Sequence, residues 1–386
     1  VAASRGRNRQ FEVPTVTPAS RVLILLLLPC CLPLKTSAVD GGCADQQLQS
    51  TLDDERGKAN ALGMNLGVQR GSCTAWVGAS GFGDLAKTKP LQPSDRFRIY
   101  SITKTFTAAL AFKLIERGSL SLDDPLSKWY PALPGPGKVK VRHLLSHTSG
   151  LFDVLTDDNV VARRHEHWDH DTLIAVAESH PLDFEPGAKA AYVNTNFLLM
   201  GRIIEKVTGE AYAVVLRREL LDPLGLRDSY LAGDEPARPF VEGSKHDLVG
   251  NFVDATNAWD DSMTWSAGGL VSTAADQLTW FRALFGGRVL QASSLQTLMT
   301  PPKLADGTDS YFGYDVTVSS SSAGPYYSHE GGGSGVGLLG DSAFGFHAHL
   351  GWLKDSDLTI VVLSNTGTAD VNGARNAALR ALAVMQ

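Results

Sequence analysis

The sequence predicts a mixed α/β (α+β) fold: an antiparallel sheet contributed by both ends of the chain, flanked by terminal helices, with a mainly helical region inserted between them. Three observations carry that expectation. Residues 65–69 and 73–77 alternate around Arg70-Gly71-Ser72, a hairpin signal. Strand character fades after Ser101 and returns only late, at 311–318, 326–329, 347–352 and 358–363. A last helical stretch, 371–385, closes the chain. Strands at both ends with helices between them point to one sheet closed across the whole chain.

In chain order, the first 38 residues stand apart. Arg5, Arg7, Arg9 and Arg21 precede an apolar run from Val22 to Leu34, interrupted by Pro29 and Pro33, and Thr36-Ser37-Ala38 offers small residues for cleavage. Basic, then apolar, then small is the order of a signal peptide, here behind an upstream extension. The run is shorter than the roughly 20 apolar residues of a membrane span. Export to a secreted or periplasmic location, with cleavage near Ala38, is therefore expected, and a stable membrane span is not. Residues 44–61 read as a polar helix. Thr105 to Glu116 reads as a helix with Phe106, Leu110 and Leu114 on one face, closed by Gly118. Helical character with short loops continues to about Ser262. The expected organisation is a sheet subdomain of about residues 45–100 and 263–386 and a helical subdomain of about 101–262, within one unit of 39–386. Nothing repeats at a fixed period, and Ser319 to Ser322 is too short to be a linker.

Cleavage near Ala38 would remove five of the 35 basic residues (Arg5, Arg7, Arg9, Arg21, Lys35) and one of the 41 acidic ones (Glu12), leaving 30 against 40 and a net charge of −10. That sign argues against nucleic acid or an anionic membrane as partner. Cys30 and Cys31 would leave with the leader. Cys43 and Cys73 remain, an even count in an oxidising compartment. They are either a bridge from the first helix to the first hairpin or two unpaired thiols. A lipid anchor on Cys43 is not expected, because Asp40 stands where lipoprotein signals carry an apolar residue.

Three short motifs carry the chemistry. Ser101-Ile102-Thr103-Lys104 sets a hydroxyl and an amine three residues apart at the start of a helix. Residues so spaced share a helix face, so the amine reaches back to the Ser101 oxygen. The helix N-terminus adds partial positive charge, which favours an alkoxide there. A hydroxyl is a weak nucleophile and needs such help. Tyr192-Val193-Asn194 follows the turn Glu185-Pro186-Gly187-Ala188, and His329-Glu330-Gly331 opens the run Gly331-Gly332-Gly333-Ser334-Gly335. Singly, each has a plainer reading: a helix cap, a core tyrosine, a turn asparagine, a core histidine, a flexible loop. Those readings would have to hold together in three places.

In this order and at these spacings, S-x-x-K, Y-x-N and H-x-G resemble the penicillin-recognising serine hydrolases: class C β-lactamases, D-alanyl-D-alanine carboxypeptidases and β-lactamase-like esterases. The flanks agree, at Val141-Arg-His-Leu-Leu-Ser-His-Thr-Ser-Gly-Leu151, Tyr192-Val-Asn-Thr-Asn-Phe197 and Trp265-Ser-Ala-Gly-Gly-Leu-Val-Ser-Thr273. The likeness runs from about residue 45 to the end. It implies a β-lactamase/transpeptidase-like fold, a single catalytic domain over 39–386, an active site where the helical region meets the sheet, and no cofactor or metal. It also implies roles. Ser101 attacks a carbonyl and forms an acyl-enzyme, while Lys104 and Tyr192 share the proton traffic. Both titrate near 10 unless shifted, so which is the base stays open. Asn194 orients Lys104 and the acyl side chain, and His329 completes the cluster. The Ser101 and Gly332 N–H groups form an oxyanion hole, each donor worth about 3 kcal/mol of barrier. Gly331, Trp265 and Phe152 line the substrate pocket.

Departures from the pattern bear on the substrate. His329 stands where many relatives carry lysine, as in the carboxypeptidase and esterase branches. Glu330 stands where peptidase relatives carry threonine, and residues 311–327 contain no Lys or Arg to bind a terminal carboxylate. A cleft-facing Glu330 would repel a carboxylate substrate. The expected partner is a small-molecule or peptide substrate: a peptidoglycan stem peptide ending in D-Ala-D-Ala, then an ester, then a β-lactam. Two rivals belong to other classes. His165-Glu166-His167-Trp168-Asp169-His170 fits the H-x-H-x-D-H metal motif of zinc hydrolases, whose ligand types suit Zn²⁺. That motif normally follows an apolar strand and precedes a glycine, whereas here it follows Val161-Ala-Arg-Arg164 and precedes Asp171-Thr172-Leu173. A non-catalytic peptidoglycan binder on the same fold would usually have lost Ser101 or Lys104. No Gly-x-Ser-x-Gly elbow is present, which disfavours an α/β-hydrolase.

Overall fold

The strand at the centre of the fold is apolar on both faces. In the computed structural model, which describes residues 41–321, 324–332 and 344–384, every residue of Leu358–Ser364 is buried. Successive side chains of a strand point to opposite faces. Ile360 and Val362 therefore enter one core layer, with Leu48, Leu52, Leu66 and Ala378, while Val361 and Leu363 enter another, with Leu278 and Phe281. Each such side chain contributes roughly 1.5–3 kcal/mol by leaving water.

Six strands make the main sheet: β1 Gly63–Arg70, β2 Trp76–Gly81, β3 Thr317–Ser321, β4 Gly324–Gly332, β5 His347–Leu353 and β6 Leu358–Ser364. Their order is β2-β1-β6-β5-β4-β3 and every pairing is antiparallel. The first strand thus pairs with the last, from Met64 opposite Ser364 to Arg70 opposite Leu358. Helices α1 Gly41–Lys58 and α6 Val371–Val384 cover one face. The other face packs on the helical part of the chain. That part includes α2 Thr103–Glu116, α3 Thr195–Thr208, α4 Asp261–Gly268 and α5 Ala274–Phe285. Among the described residues no helix is long and apolar enough to cross a membrane.

The sheet built from both termini matches the sequence expectation, with differences in detail. The hairpin's second strand begins at Trp76 rather than residue 73. Residues 311–316, expected as strand, form a loop instead. A bond from the Gly313 N–H to the Val316 carbonyl closes it, and Asp315 sits in the left-handed region at φ 71°. The region to Ser262 is not wholly helical. Phe97–Arg98, Leu270–Ser272 and Tyr230–Leu231 form a small sheet, and Ser244–His246 pairs with Phe252–Asp254. Strands of two or three residues are too short to leave a periodic signal.

One feature of register positions the site. Strand β3 pairs with residues 324–328 of β4, from Ser321 opposite Gly324 to Thr317 opposite Ser328. Beyond Ser328 that edge of β4 has no strand partner among the described residues, while β5 holds its other edge to Gly332. His329 to Gly332 therefore present a free backbone edge.

Candidate active site

Ser101 lies in a 3₁₀ turn, Tyr100–Ile102, just before α2. Tyr100 takes φ 41° although it is buried and not glycine. Such a conformation costs on the order of 1–3 kcal/mol and persists only where surroundings enforce it. Here the Ile99 N–H is bonded to the Leu270 carbonyl, and the Tyr100 ring lies 4.5 Å from that of Phe344. One helical turn on, Lys104 is fully buried. Its Nζ is 3.0 Å from Ser101 Oγ, 2.9 Å from Asn194 Oδ1 and 2.7 Å from the Ala267 carbonyl. Burial pulls the amine down to about 8, against the opposing charges of Asp315 and Asp153. A neutral amine suits this geometry: two N–H donors reach Asn194 and Ala267, and the lone pair accepts the Ser101 hydroxyl.

Asn194 immediately precedes α3. Its Nδ2 and backbone N–H both donate to Asp153 Oδ2, at 2.9 and 3.1 Å, which fixes the amide with its oxygen toward Lys104. Burial raises the Asp153 carboxyl despite these bonds. Two residues earlier, the Tyr192 ring stacks on the buried His147 with centroids 4.5 Å apart, and Lys104 Nζ lies 4.8 Å from the ring centre. About a third of Tyr192 is open to the cleft. Its phenol is nevertheless pushed well above 10, first by burial and then by the Asp315 charge, while a hydrogen bond with Ser101 acts in the opposite sense.

The free edge of β4 forms the opposite wall. A side chain on Gly331 would put Cβ 2.0 Å from the Ile99 carbonyl oxygen and 3.2 Å from the Ser101 nitrogen. Only glycine lets the strand come this close to the Ser101 turn. The cleft between the walls has a volume of about 410 Å³ and is lined by Ser101, Tyr192, Phe312, His329 and Gly332, with Glu330 and Arg375 toward its rim. The His329 ring is buried, its Nδ1 lying 2.6 Å from the Glu330 carbonyl.

Ser101, Lys104, Tyr192, Asn194, His329, Gly331 and Gly332 thus converge, although 228 positions separate Ser101 from His329. Other expectations are corrected. Glu330 does line the cleft with Ser101, but its carboxylate is turned to a pair of imidazoles. It lies on the other face of β4 from His329, with Oε1 3.4 Å from His349 Nδ1 and Oε2 3.9 Å from His347 Nε2, which holds its carboxyl well below the usual range. A cation does reach the cleft, since Arg375 comes from α6 rather than from residues 311–327. Trp265 does not line the cleft. It is a core residue, its indole donating to Asp234 Oδ2 at 2.9 Å. The chain kinks there (φ 30°, ψ −117°), and two residues on lies the carbonyl that Lys104 takes. Phe152 stacks on His180 at 3.7 Å and is not among the cleft residues.

The four residues of the rival metal motif are spent elsewhere. Asp169 caps the helix His170–Ala175, His170 stacks on Trp265 at 3.8 Å, and His165 and His167 are exposed. Among the described residues no three His, Cys, Asp or Glu side chains are placed to hold a metal. Cys73 is exposed with a free thiol. The Cys43 side chain, the leader and Gly333 to Gly335 lie outside the described residues. Sequence reasoning missed Asp153, His147 and Asp315. His147 stood inside a quoted flank, but nothing marked the two aspartates.

Comparison with known proteins accords with this geometry. A penicillin-binding protein of Bacillus subtilis (strain 168) is 25% identical over 273 residues, 67% of this chain and 60% of that protein. A D-aminopeptidase of Gluconobacter oxydans (strain 621H) is 26% identical over 291 residues, 74% of this chain and 52% of its own. The chain therefore spans roughly half to three fifths of these curated relatives. The crystal structure of D-amino acid amidase from Ochrobactrum anthropi SV3, complexed with L-phenylalanine amide, superposes with a TM-score of 0.76 at 26% identity, covering 89% of this chain and 99% of that one. The family model described as Beta-lactamase matches residues 48–385, and the chain belongs to that family of serine hydrolases.

Proposed function

We propose that this chain is an exported hydrolase that cleaves an amide bond beside a D-amino-acid residue, through an acyl-enzyme on Ser101. The observation that carries the reading is the buried Lys104 amine, 3.0 Å from Ser101 Oγ with its other two bonds taken by Asn194 and Ala267. Ser101 Oγ attacks the substrate carbonyl and its proton passes to Lys104. Lys104, lowered to about 8, is the better base, because the raised Tyr192 phenol keeps its proton at neutral pH. Tyr192 then serves as a donor beside the leaving amine. The Ser101 and Gly332 N–H groups receive the oxyanion. The amine leaves with a proton, and water hydrolyses the ester to free Ser101.

Substrate class follows from three supports. The free edge of β4 from His329 to Gly332 suits an extended peptide adding to the sheet. Arg375 lines the cleft, and among the described residues its hydrogen-bond partner is the neutral Asn376 amide, so its charge can meet a carboxylate. Relatives named for D-aminopeptidase and D-amino acid amidase activities point to D-configured amides. A D-Ala-D-Ala peptide remains the first substrate to try. Export rests on the basic, apolar and small segments of residues 1–38. A turnover panel tests the reading: a D-Ala-D-Ala peptide, D-phenylalaninamide and its L form, nitrocefin and a p-nitrophenyl ester. Preference for D over L amides is expected, and hydrolysis of the ester alone would move the protein to the esterase branch.

A further inference from the structure

Between Tyr311 and Val316 the chain makes a tight loop that places one carboxylate in the interior. Asp315 is fully buried and takes φ 71°, a conformation glycine would adopt without strain. Its Oδ1 lies 3.3 Å from His329 Nε2 and 3.5 Å from His147 Nε2. Both carboxylate oxygens and both facing Nε2 atoms are buried with no closer polar partner among the described residues. The two imidazoles belong to opposite walls of the cleft. His147 lies in the helical region against Tyr192, and His329 lies on β4.

The other ring nitrogens fix where the protons are. His147 Nδ1 accepts the Val193 N–H at 3.1 Å, so a neutral His147 carries its proton on Nε2, toward Asp315. His329 Nδ1 faces the Glu330 carbonyl at 2.6 Å, so that nitrogen carries a proton. His329 Nε2, the ring's other nitrogen, faces Asp315 Oδ1 at 3.3 Å.

We propose that Asp315 is a positioning residue of the active site: its carboxylate ties His147 to His329 and so sets the Tyr192 ring and the β4 edge against Ser101. This rests on the acyl-enzyme reading above. It carries a consequence that a purely structural contact would lack. Around Lys104 stand Asp315, Asp153, Tyr192 and His147, together with the neutral Asn194 and the Ala267 carbonyl. Asp315 is the largest of the charges that favour the ammonium. Removing it makes the amine easier to deprotonate.

Asp315→Asn and Asp315→Ala separate the roles. The amide of Asp315→Asn can accept from His147 and donate to a neutral His329, keeping both ties without the charge. Its kcat should fall about tenfold or less, while the acid limb of kcat/KM moves to lower pH by about half a unit or more. Asp315→Ala loses both ties, and kcat should fall about a hundredfold with KM changed less than about threefold. An alanine variant with kcat within about threefold of the wild type, or an asparagine variant whose limb stays put, overturns the proposal. Should the alanine variant not fold, the asparagine limb and the ¹⁵N spectrum of ring-labelled wild type decide. That spectrum should show His147 protonated at Nε2 and His329 protonated at Nδ1, and a bare His329 Nδ1 overturns the proposal. Fluorophosphonate labelling of wild-type Ser101 tests the acyl-enzyme reading separately, since the nitrogen pattern does not depend on it.

Discussion

Two carboxylates in this molecule each face a pair of imidazoles, on opposite sides of one strand. Asp315 meets His147 and His329 in the sealed interior beside Ser101. Glu330 meets His347 and His349 on the other face of β4, with half of its side chain in solvent. The chemistry is alike and the surroundings are not. His349 is held toward its neutral form by burial, so it acts on Glu330 chiefly as an N–H donor rather than as a cation. An exposed pair of this kind contributes about 0–1 kcal/mol, whereas stripping one partner from a buried pair costs about 3–5 kcal/mol. Adjacent residues, His329 and Glu330, thus belong to clusters of very different weight, because a strand turns successive side chains to opposite faces.

Measurements on the cleft side should therefore show large effects and those on the far side small ones. Ser101→Ala should abolish acylation, read by intact mass after fluorophosphonate treatment, and lower kcat/KM by about 10⁴-fold or more. Equal labelling of both proteins would remove Ser101 from the mechanism. Lys104→Met should lower kcat by about 10³-fold. In the wild type the rate should climb through an apparent pKa near 8 as Lys104 loses its proton. A limb well above 10 would favour Tyr192 as the base instead.

The same lysine has a stability signature of definite sign. Its folded pKa is about 8, below the unfolded value near 10.5. The unfolded chain therefore binds the extra proton between those values, and wild-type stability rises with pH across that window. Lys104→Met should then be the more stable protein at pH 7, by up to about 3 kcal/mol, and the gap should narrow to about 1 kcal/mol or less by pH 10. Denaturant titrations at the two pH values would read it, and a gap that widens with pH would contradict the buried neutral amine.

Next in size, Asn194→Ala removes one Lys104 acceptor and the side-chain amide's bond to Asp153, leaving the backbone one. A loss of about 10- to 100-fold in kcat, with the fold intact by circular dichroism, is expected. Smallest of all should be Glu330→Gln: less than about threefold on kcat/KM, and alike for a D-Ala-D-Ala peptide and a neutral ester. A tenfold gain confined to the carboxylate substrate would place Glu330 back among the selectivity elements.

The sequence carried the Ser101, Lys104, Tyr192 and Asn194 cluster because those residues sit at helix starts, where spacing alone dictates reach. It carried the sheet for a similar reason, since a near-continuous apolar run at 358–363 must be covered on both faces. Asp315 left no trace, because a single acid in a short loop has no period and its partners lie at residues 147 and 329. Trp265 misled in the other direction. An aromatic beside a quoted flank reads as a pocket wall, and only its backbone, with φ 30°, turns it into the core. Arg375 was invisible for a topological reason, since α6 reaches the cleft only once β6 has closed the sheet.

That closure governs when the protein becomes competent. The Leu62 amide bonds the Thr366 hydroxyl across 304 positions, and β1 finds its inner partner only in β6. A ribosome must have made Leu358–Ser364 before this sheet can form, and non-local pairing of this kind is slow. Ser101 is made early, yet the strand that presses Gly331 against its turn arrives some 230 residues later. Reactivity at Ser101 is thus a late event in folding, and pulse-labelling during refolding should lag the appearance of helix by circular dichroism. Were labelling and helix to rise together, the nucleophile would be poised by α2 alone.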